Sequence, residues 1–212
     1  MIQIDDAGSG SLVGGTCIAS LRVETGEYYY DIIPVNYYTK RYFDKKLYLD
    51  KTCQIVKGHL IKMRIQKGEL IEVCQGYMFD KARRWLDNNT YNYVSKKIQD
   101  PLQSKIETTF GSYIISLGLP YGYLKYTKYP FHFHKLLRWV YADYQQRSKL
   151  CKSGWKSWEK YGNLPLTVIT GVAPFSHYVC LKCGKRIYKD QEIRIIKYTS
   201  NCSNTIFLHR QC

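Results

Sequence analysis

The spacing of apolar positions along this chain changes character several times, and each change predicts an element. Ile2-Gln3-Ile4 alternates and then meets Asp5-Asp6, a short strand running into the glycine-rich stretch Ala7-Gly8-Ser9-Gly10-Ser11. Ser11 to Val23 is rich in small and β-branched residues, Glu24-Thr25-Gly26-Glu27 makes a turn, and Tyr28 to Val35 reads as a third strand with Pro34 near its edge. A three-stranded antiparallel meander is expected. Leu49, Cys53, Val56, Leu60 and Met63 then recur at helical spacing, marking one face of a helix that ends near Lys67-Gly68.

Leu70 to Cys74 is a short apolar strand closed by Gln75-Gly76, and Tyr77 to Leu86 resumes helical spacing until Asp87-Asn88-Asn89 stops it. A further helix starts at Pro101 and carries Leu102, Ile106, Phe110, Tyr113 and Leu117 on one face before Gly118-Leu119-Pro120. Phe133 to Trp158 predicts a long helix, or two broken near Gly154, and Gly162-Asn163-Leu164-Pro165 a linker. These elements imply an α/β fold in two parts. Residues 1–165 would form a mixed sheet, the meander plus helix-strand-helix units, and residues 166–212 a small C-terminal module.

Charge narrows the class of partner. The net charge is +15; the first hundred residues hold 15 basic against 12 acidic side chains, the remainder 17 against 5. A basic half favours a polyanion, nucleic acid first, because neutralising phosphates releases counterions. Plain solubility or an anionic membrane surface would use the same charge. The 21 tyrosines are interleaved with lysine at Tyr121-Gly122-Tyr123-Leu124-Lys125-Tyr126-Thr127-Lys128-Tyr129, which suits base stacking. No stretch reaches the roughly 18 apolar residues of a membrane span, and the acids at Asp5 and Asp6 argue against a signal peptide. A cytoplasmic location is expected.

Cysteine spacing supplies the firmest chemistry. Cys180-Leu181-Lys182-Cys183 and His209-Arg210-Gln211-Cys212 are two ligand pairs that can meet on one tetrahedral Zn²⁺, and Gly184 suits the tight turn of a knuckle. Cys202 is a substitute for one of the four, and His177 a weaker one. Lys185 to Ile196 reads as a hairpin, and Lys182, Lys185, Arg186 and Arg194 are candidate phosphate contacts with Lys125 and Lys128. Four protein ligands make such a site structural. Cys17, Cys53, Cys74 and Cys151 lie on apolar faces as core thiols. Phe131-His132-Phe133-His134 places two histidines on one side of an extended segment, where they could contact metal or phosphate.

The C-terminal pairs and the segment between them resemble treble-clef zinc fingers of the LIM-half and poly(ADP-ribose) polymerase type. The first 165 residues are similar in element order, and in the Asp5-Asp6-Ala7-Gly8-Ser9-Gly10 stretch, to the ribonuclease H-like fold, whose core the actin-like ATPases share. The nuclease resemblance implies a first-strand acid, Asp5 or Asp6, joined by other carboxylates to hold Mg²⁺. Asp50 lies in the first helix. At the end of the fourth strand, where an acid is expected, this chain has Cys74-Gln75-Gly76; Glu72 lies upstream on the same strand face, Asp80 follows in the next helix, and Asp143 or Glu107 could supply a late-helix carboxylate. The candidate catalytic set is Asp5, Asp6, Glu72, Asp80 and Asp143. The expectation is a nucleic-acid-binding or nucleic-acid-processing protein, as a divalent-metal-dependent nuclease. The alternatives are a non-catalytic zinc-finger adaptor for nucleic acid or protein, and a phosphate-handling enzyme using Gly8-Ser9-Gly10.

Overall fold

The computed structural model describes residues 1–128 and 131–212. Tyr129, the last tyrosine of the predicted basic loop, lies outside the described residues. The chain divides into two compact units, Met1–Leu117 and Gly118–Cys212, so the boundary expected at 165 falls inside the second unit. Residues after Gly118 reach into the C-terminal segment: Arg138 donates to the Thr205 carbonyl, the Tyr141 ring meets Tyr198, and Arg147 donates to the carbonyls of Leu181 and Lys182.

In the first unit, β1 (Ile2–Ala7), β2 (Thr16–Arg22) and β3 (Tyr28–Ile33) form the expected meander, and β4 (Ile71–Cys74) and β5 (Tyr93–Lys96) extend it in the order β3-β2-β1-β4-β5. β1 is antiparallel to β2 and parallel to β4, and β4 is parallel to β5. The sheet is therefore mixed. β5 was not anticipated, because Tyr93-Val94-Ser95-Lys96 is mostly exposed and lacks an apolar run.

Alternation along β1 assigns its two faces. Ile2 and Ile4 are fully buried in a core with Ile18, Ile33 and Val73, covered by α2 (Leu47–Lys62) through Ile55, Val56 and Leu60 and by α3 (Asp80–Asn88) through Ala82 and Leu86. Each such buried aliphatic contributes about 1.5–3 kcal/mol. α2 stops at Lys62, before the predicted Lys67-Gly68, because Arg64 takes a left-handed conformation (φ 49°). α1 (Lys40–Phe43) is a single turn preceding it.

The opposite face carries α4 (Leu102–Ser116), which packs on β1 and β2. Gln3 Oε1 accepts the Leu102 amide at 3.4 Å, and the Tyr113 hydroxyl accepts the Gly15 amide at 3.1 Å. Two glycines after β1 make room for neighbouring elements, Gly8 for this helix and Gly15 for β3. A Cβ on Gly8 (φ +81°) would lie 2.0 Å from the Phe110 ring, and one on Gly15 would lie 1.9 Å from the Ile33 carbonyl oxygen. The space that a phosphate loop would keep open is filled here by the protein's own side chains.

A hydrogen-bonded trio, with Ser20 and His59 buried and Asp31 at the surface, ties three elements together. Ser20 Oγ lies 3.0 Å from His59 Nδ1, and His59 Nε2 lies 3.0 Å from Asp31 Oδ2, linking β2, α2 and β3. Ser20 is fully buried, so the arrangement is a structural relay and not a nucleophile. Burial holds the His59 imidazole below its ordinary range, outweighing the opposing effect of Asp31.

The second unit contains α5 (His132–Tyr141), α6 (Tyr144–Arg147) and α7 (Lys156–Tyr161), then a sheet of β6 (Thr167–Val172), β9 (Glu192–Thr199) and β10 (Ser203–His209) in the order β10-β9-β6, and a small hairpin of β7 (Tyr178–Val179) with β8 (Arg186–Ile187). The long helix expected from Phe133 breaks at Ala142-Asp143, where Asp143 leaves the helical region (φ −151°), well before Gly154. The hairpin expected over 185–196 is instead two hairpins: β8 turns back onto β7, and β9 pairs with β10. Register decides this, since Tyr178 opposite Ile187 closes the chain around Cys180–Lys185. His132 and His134 lie in α5 and not in an extended segment; His132 Nε2 faces the Thr127 carbonyl at 2.7 Å, and His134 lies between Ser200 and Asn201. Among the described residues, no helix is long and apolar enough to cross a membrane.

Gly15→Ala is expected to lower stability by about 3 kcal/mol, the upper end of the overpacking range, because the obstacle is backbone; a urea midpoint equal to the wild type's would contradict this packing. For His59, the unfolded chain binds a proton near 6.5 while the folded state resists it. Stability is therefore complete above that pH and declines as pH falls toward the lower folded value. His59→Gln should flatten this part of the stability–pH curve, measured by denaturant titration.

Candidate functional site

Among the described residues, each unit contains one group of side chains that could hold a metal ion. In the second unit the donor atoms of Cys180, Cys183, His209 and Cys212 lie within 4.8 Å of one another. The β7–β8 hairpin presents the first pair: the Cys180 amide donates to the Lys185 carbonyl, and the Gly184 amide to the Cys180 carbonyl at 2.8 Å, with Gly184 at φ +76°. The end of β10 presents the second. His209 Nε2 faces the Arg186 carbonyl at 3.2 Å and so carries the neutral ring's proton, which leaves Nδ1 as donor, 3.3 Å from Cys183 Sγ.

Burial works to raise the Cys180 thiol, but the amides of Cys183, His209 and Lys182 outweigh it and bring it down to about 7. Cys212 goes the other way, to about 11, through burial and the neighbouring Cys183 and Cys180. Crowded sulfurs of this kind are what a cation relieves. The Cys₃His set can hold a metal such as zinc, and four protein donors leave no open position. Cys202 is exposed at the β9–β10 turn and His177 stacks between Phe175 and Tyr178; neither joins the cluster.

One residue supporting this cluster carried no signal in the sequence. Arg147 is buried, lies 4.0 Å over the Trp139 ring, and donates to the carbonyls of Trp139 (2.7 Å), Leu181 (2.8 Å) and Lys182 (2.9 Å). Leu181 and Lys182 are the two residues between the first pair of cysteines, so the arginine fastens the knuckle to α5.

In the first unit the donor atoms of Asp5, Asp6 and Cys74 also lie within 4.8 Å of one another. Asp5 and Asp6 leave opposite faces of β1, but both stand at its carboxyl end, and the parallel register Ile4↔Val73 brings Cys74 alongside. Asp5 is 5% exposed. Burial raises its carboxyl above the ordinary range, against hydrogen bonds from the Cys74 thiol and the Asp6 amide, the latter at 2.8 Å. Burial, chiefly, pushes the Cys74 thiol up to about 12. Glu107, on α4, is also raised, first by desolvation and then by the charge of Asp5, so these two carboxylates sense each other. The third donor is a thiol where an all-oxygen Mg²⁺ cage needs a carboxylate, and the set does not fit such a cage.

The other sequence candidates are engaged elsewhere. Glu72 is buried on β4 and accepts from Lys96 (2.8 Å) and Gln3 (3.1 Å), which lower its carboxyl. Asp80 pairs with Arg83 at 2.5 Å, and Asp50 with Lys81 at 2.6 Å. Asp143 belongs to the second unit, 3.6 Å from Lys182. Of the candidate phosphate contacts, Lys125, Lys128, Lys185 and Arg186 are exposed, Lys182 and Arg194 half-buried. Tyr121 and Tyr126, beside the first two, are each 89% exposed.

No protein-family model matches this chain, and no curated protein matches it.

Purified protein should hold at least one zinc per chain that Cys180→Ser releases, measured by elemental analysis; metal content far below one would refute the Cys₃His site. Arg147→Met should weaken zinc retention against a chelator by about 10–100-fold, the usual range for residues that orient ligands.

Proposed function

We propose that this chain binds and processes nucleic acid, its first unit acting as a ribonuclease H-like domain and its second as a zinc-stabilised basic module of treble-clef type. The observation that carries this reading is the position of Asp5 and Asp6: the carboxyl end of β1, where the sheet changes from antiparallel to parallel pairing. Crevices outside the carboxyl ends of strands at such switch points are where open α/β sheets place their ligands. The strand order and directions support the same reading, as does Glu107 on α4, within electrostatic reach of Asp5.

The second unit supports a polyanionic substrate. Exposed Tyr121 and Tyr126 offer ring faces beside Lys125 and Lys128, a combination suited to stacking single-stranded bases and neutralising their phosphates. Lys185 and Arg186 add charge on the knuckle. One observation favours the second reading, a non-catalytic adaptor: Glu72 is occupied by Lys96 and Gln3, so the strand-borne carboxylates do not all converge. The phosphate-handling alternative loses support because Phe110 occupies the space over Gly8.

The decisive measurement is cleavage of single-stranded, duplex and hybrid oligonucleotides across a panel of divalent cations. Activity should fall roughly 10²-fold or more in Asp5→Asn, the scale expected for losing a principal electrostatic group. Salt-sensitive binding without cleavage would select the adaptor, and absence of both would overturn the proposal. Lys125→Gln and Lys128→Gln should each reduce the slope of log affinity against log salt by about 1.

A further inference from the structure

We propose that the Asp5–Asp6–Cys74 cluster is a second metal site, built for a thiophilic divalent ion of the Zn²⁺ class rather than for Mg²⁺. This assignment rests on reading the carboxyl end of β1 as the working edge of the first unit, but its test does not depend on catalysis.

Ile4 lies opposite Val73 in the parallel β1–β4 pair, so the next residue along each strand, Asp5 and Cys74, ends side by side at the sheet edge. Chain reversal after β4 places the Gly76 amide 3.4 Å from Cys74 Sγ, a donor directed at the sulfur, as amides are directed at Cys180 in the other cluster. Asp5 is buried, and the donors to its carboxylate, the Asp6 amide and the Cys74 thiol, are neutral. A buried carboxylate whose donors are neutral is a costly arrangement that a bound cation offsets.

Donor geometry is close to what such an ion requires. Tetrahedral zinc with bonds of about 2.0–2.3 Å separates its donors by roughly 3.3–3.8 Å, and the donor atoms here lie within 4.8 Å of one another. Small side-chain adjustments close the set. Donor chemistry then selects the ion: Mg²⁺ demands oxygen and near-ideal octahedral geometry, whereas thiolate favours Zn²⁺ and related transition ions. Binding displaces the thiol proton to solvent, and no electron changes hands. Three protein donors also leave a fourth position open, the arrangement of catalytic zinc, whereas the Cys₃His set of the second unit is closed.

The test uses the full chain, saturated with Zn²⁺ and freed of loose ion by gel filtration. Wild type should retain two equivalents, and Cys74→Ser and Asp5→Asn one each, the remaining ion being that of Cys180, Cys183, His209 and Cys212. With Co²⁺ in place of zinc, the thiolate-to-metal charge-transfer absorption should be weaker in Cys74→Ser than in wild type. Cys74→Asp, which restores an all-carboxylate set, should gain a Mg²⁺-dependent rise in melting temperature that wild type lacks. One equivalent in wild type, or a second equivalent retained equally by both single variants, would overturn the assignment. Two equivalents without nucleic-acid cleavage would leave the metal site standing and refute only the nuclease reading.

Discussion

The first unit depends on the double pairing of β1, antiparallel to β2 through Ile4↔Ser20 and parallel to β4 through Ile4↔Val73. Because side chains alternate, this one register sends Ile2 and Ile4 into the core under α2 and turns Gln3 and Asp5 toward α4. A slip of one residue would bury the polar pair in the aliphatic core and expose the isoleucines. The same register brings Cys74 to Asp5 and Glu72 to Gln3, so the chemistry of the edge follows from the packing of the sheet. Glycines after Asp6 serve the packing of both neighbours, Gly8 by leaving room for Phe110 of α4 and Gly15 by letting the Ile33 carbonyl of β3 approach.

In the second unit a buried cation organises a backbone. Arg147 satisfies three carbonyls, two of them inside the knuckle, and its guanidinium lies against Trp139. Zinc at Cys180, Cys183, His209 and Cys212 would add binding free energy of about 10–16 kcal/mol at neutral pH, which in small metal-bound modules is folding free energy. Arg147 thus ties the knuckle to α5, and Arg138 ties α5 to β10 through the Thr205 carbonyl.

The two donor clusters differ in a way that matters for function. Three sulfurs and an imidazole at the end of a small hairpin and of β10 can close around a metal with no position left open. Two carboxylates and a thiol at a strand edge leave a position free, beside α4 with Glu107. A closed site supports a fold, whereas a site with an open position can support a reaction.

Much of this was legible from local signals. The alternation of Ile2-Gln3-Ile4, the helical spacing from Leu49 to Met63 and from Leu102 to Leu117, and the paired Cys-x-x-Cys and His-x-x-Cys spacings all reappear as elements or as a donor cluster, because each is encoded within a few residues. What failed locally was the long helix after Phe133, the single hairpin over 185–196 and the extended reading of His132 and His134. There, backbone conformation at Asp143 and the pairing of β7 with β8 overrode spacing. Glu72 and Asp80 were plausible carboxylates in sequence, but their partners Lys96, Gln3 and Arg83 emerge only on folding.

By itself, the sequence determined the mixed α/β character, the basic balance and the four C-terminal donors, since periodicity, charge and ligand spacing are properties of short segments. Only the tertiary structure decided that Cys74 stands beside Asp5, that Ser20, His59 and Asp31 form a relay running from the core to the surface, and that Arg147 holds the knuckle. Each of these contacts joins residues far apart in the chain, and it is strand register and helix packing that bring them together.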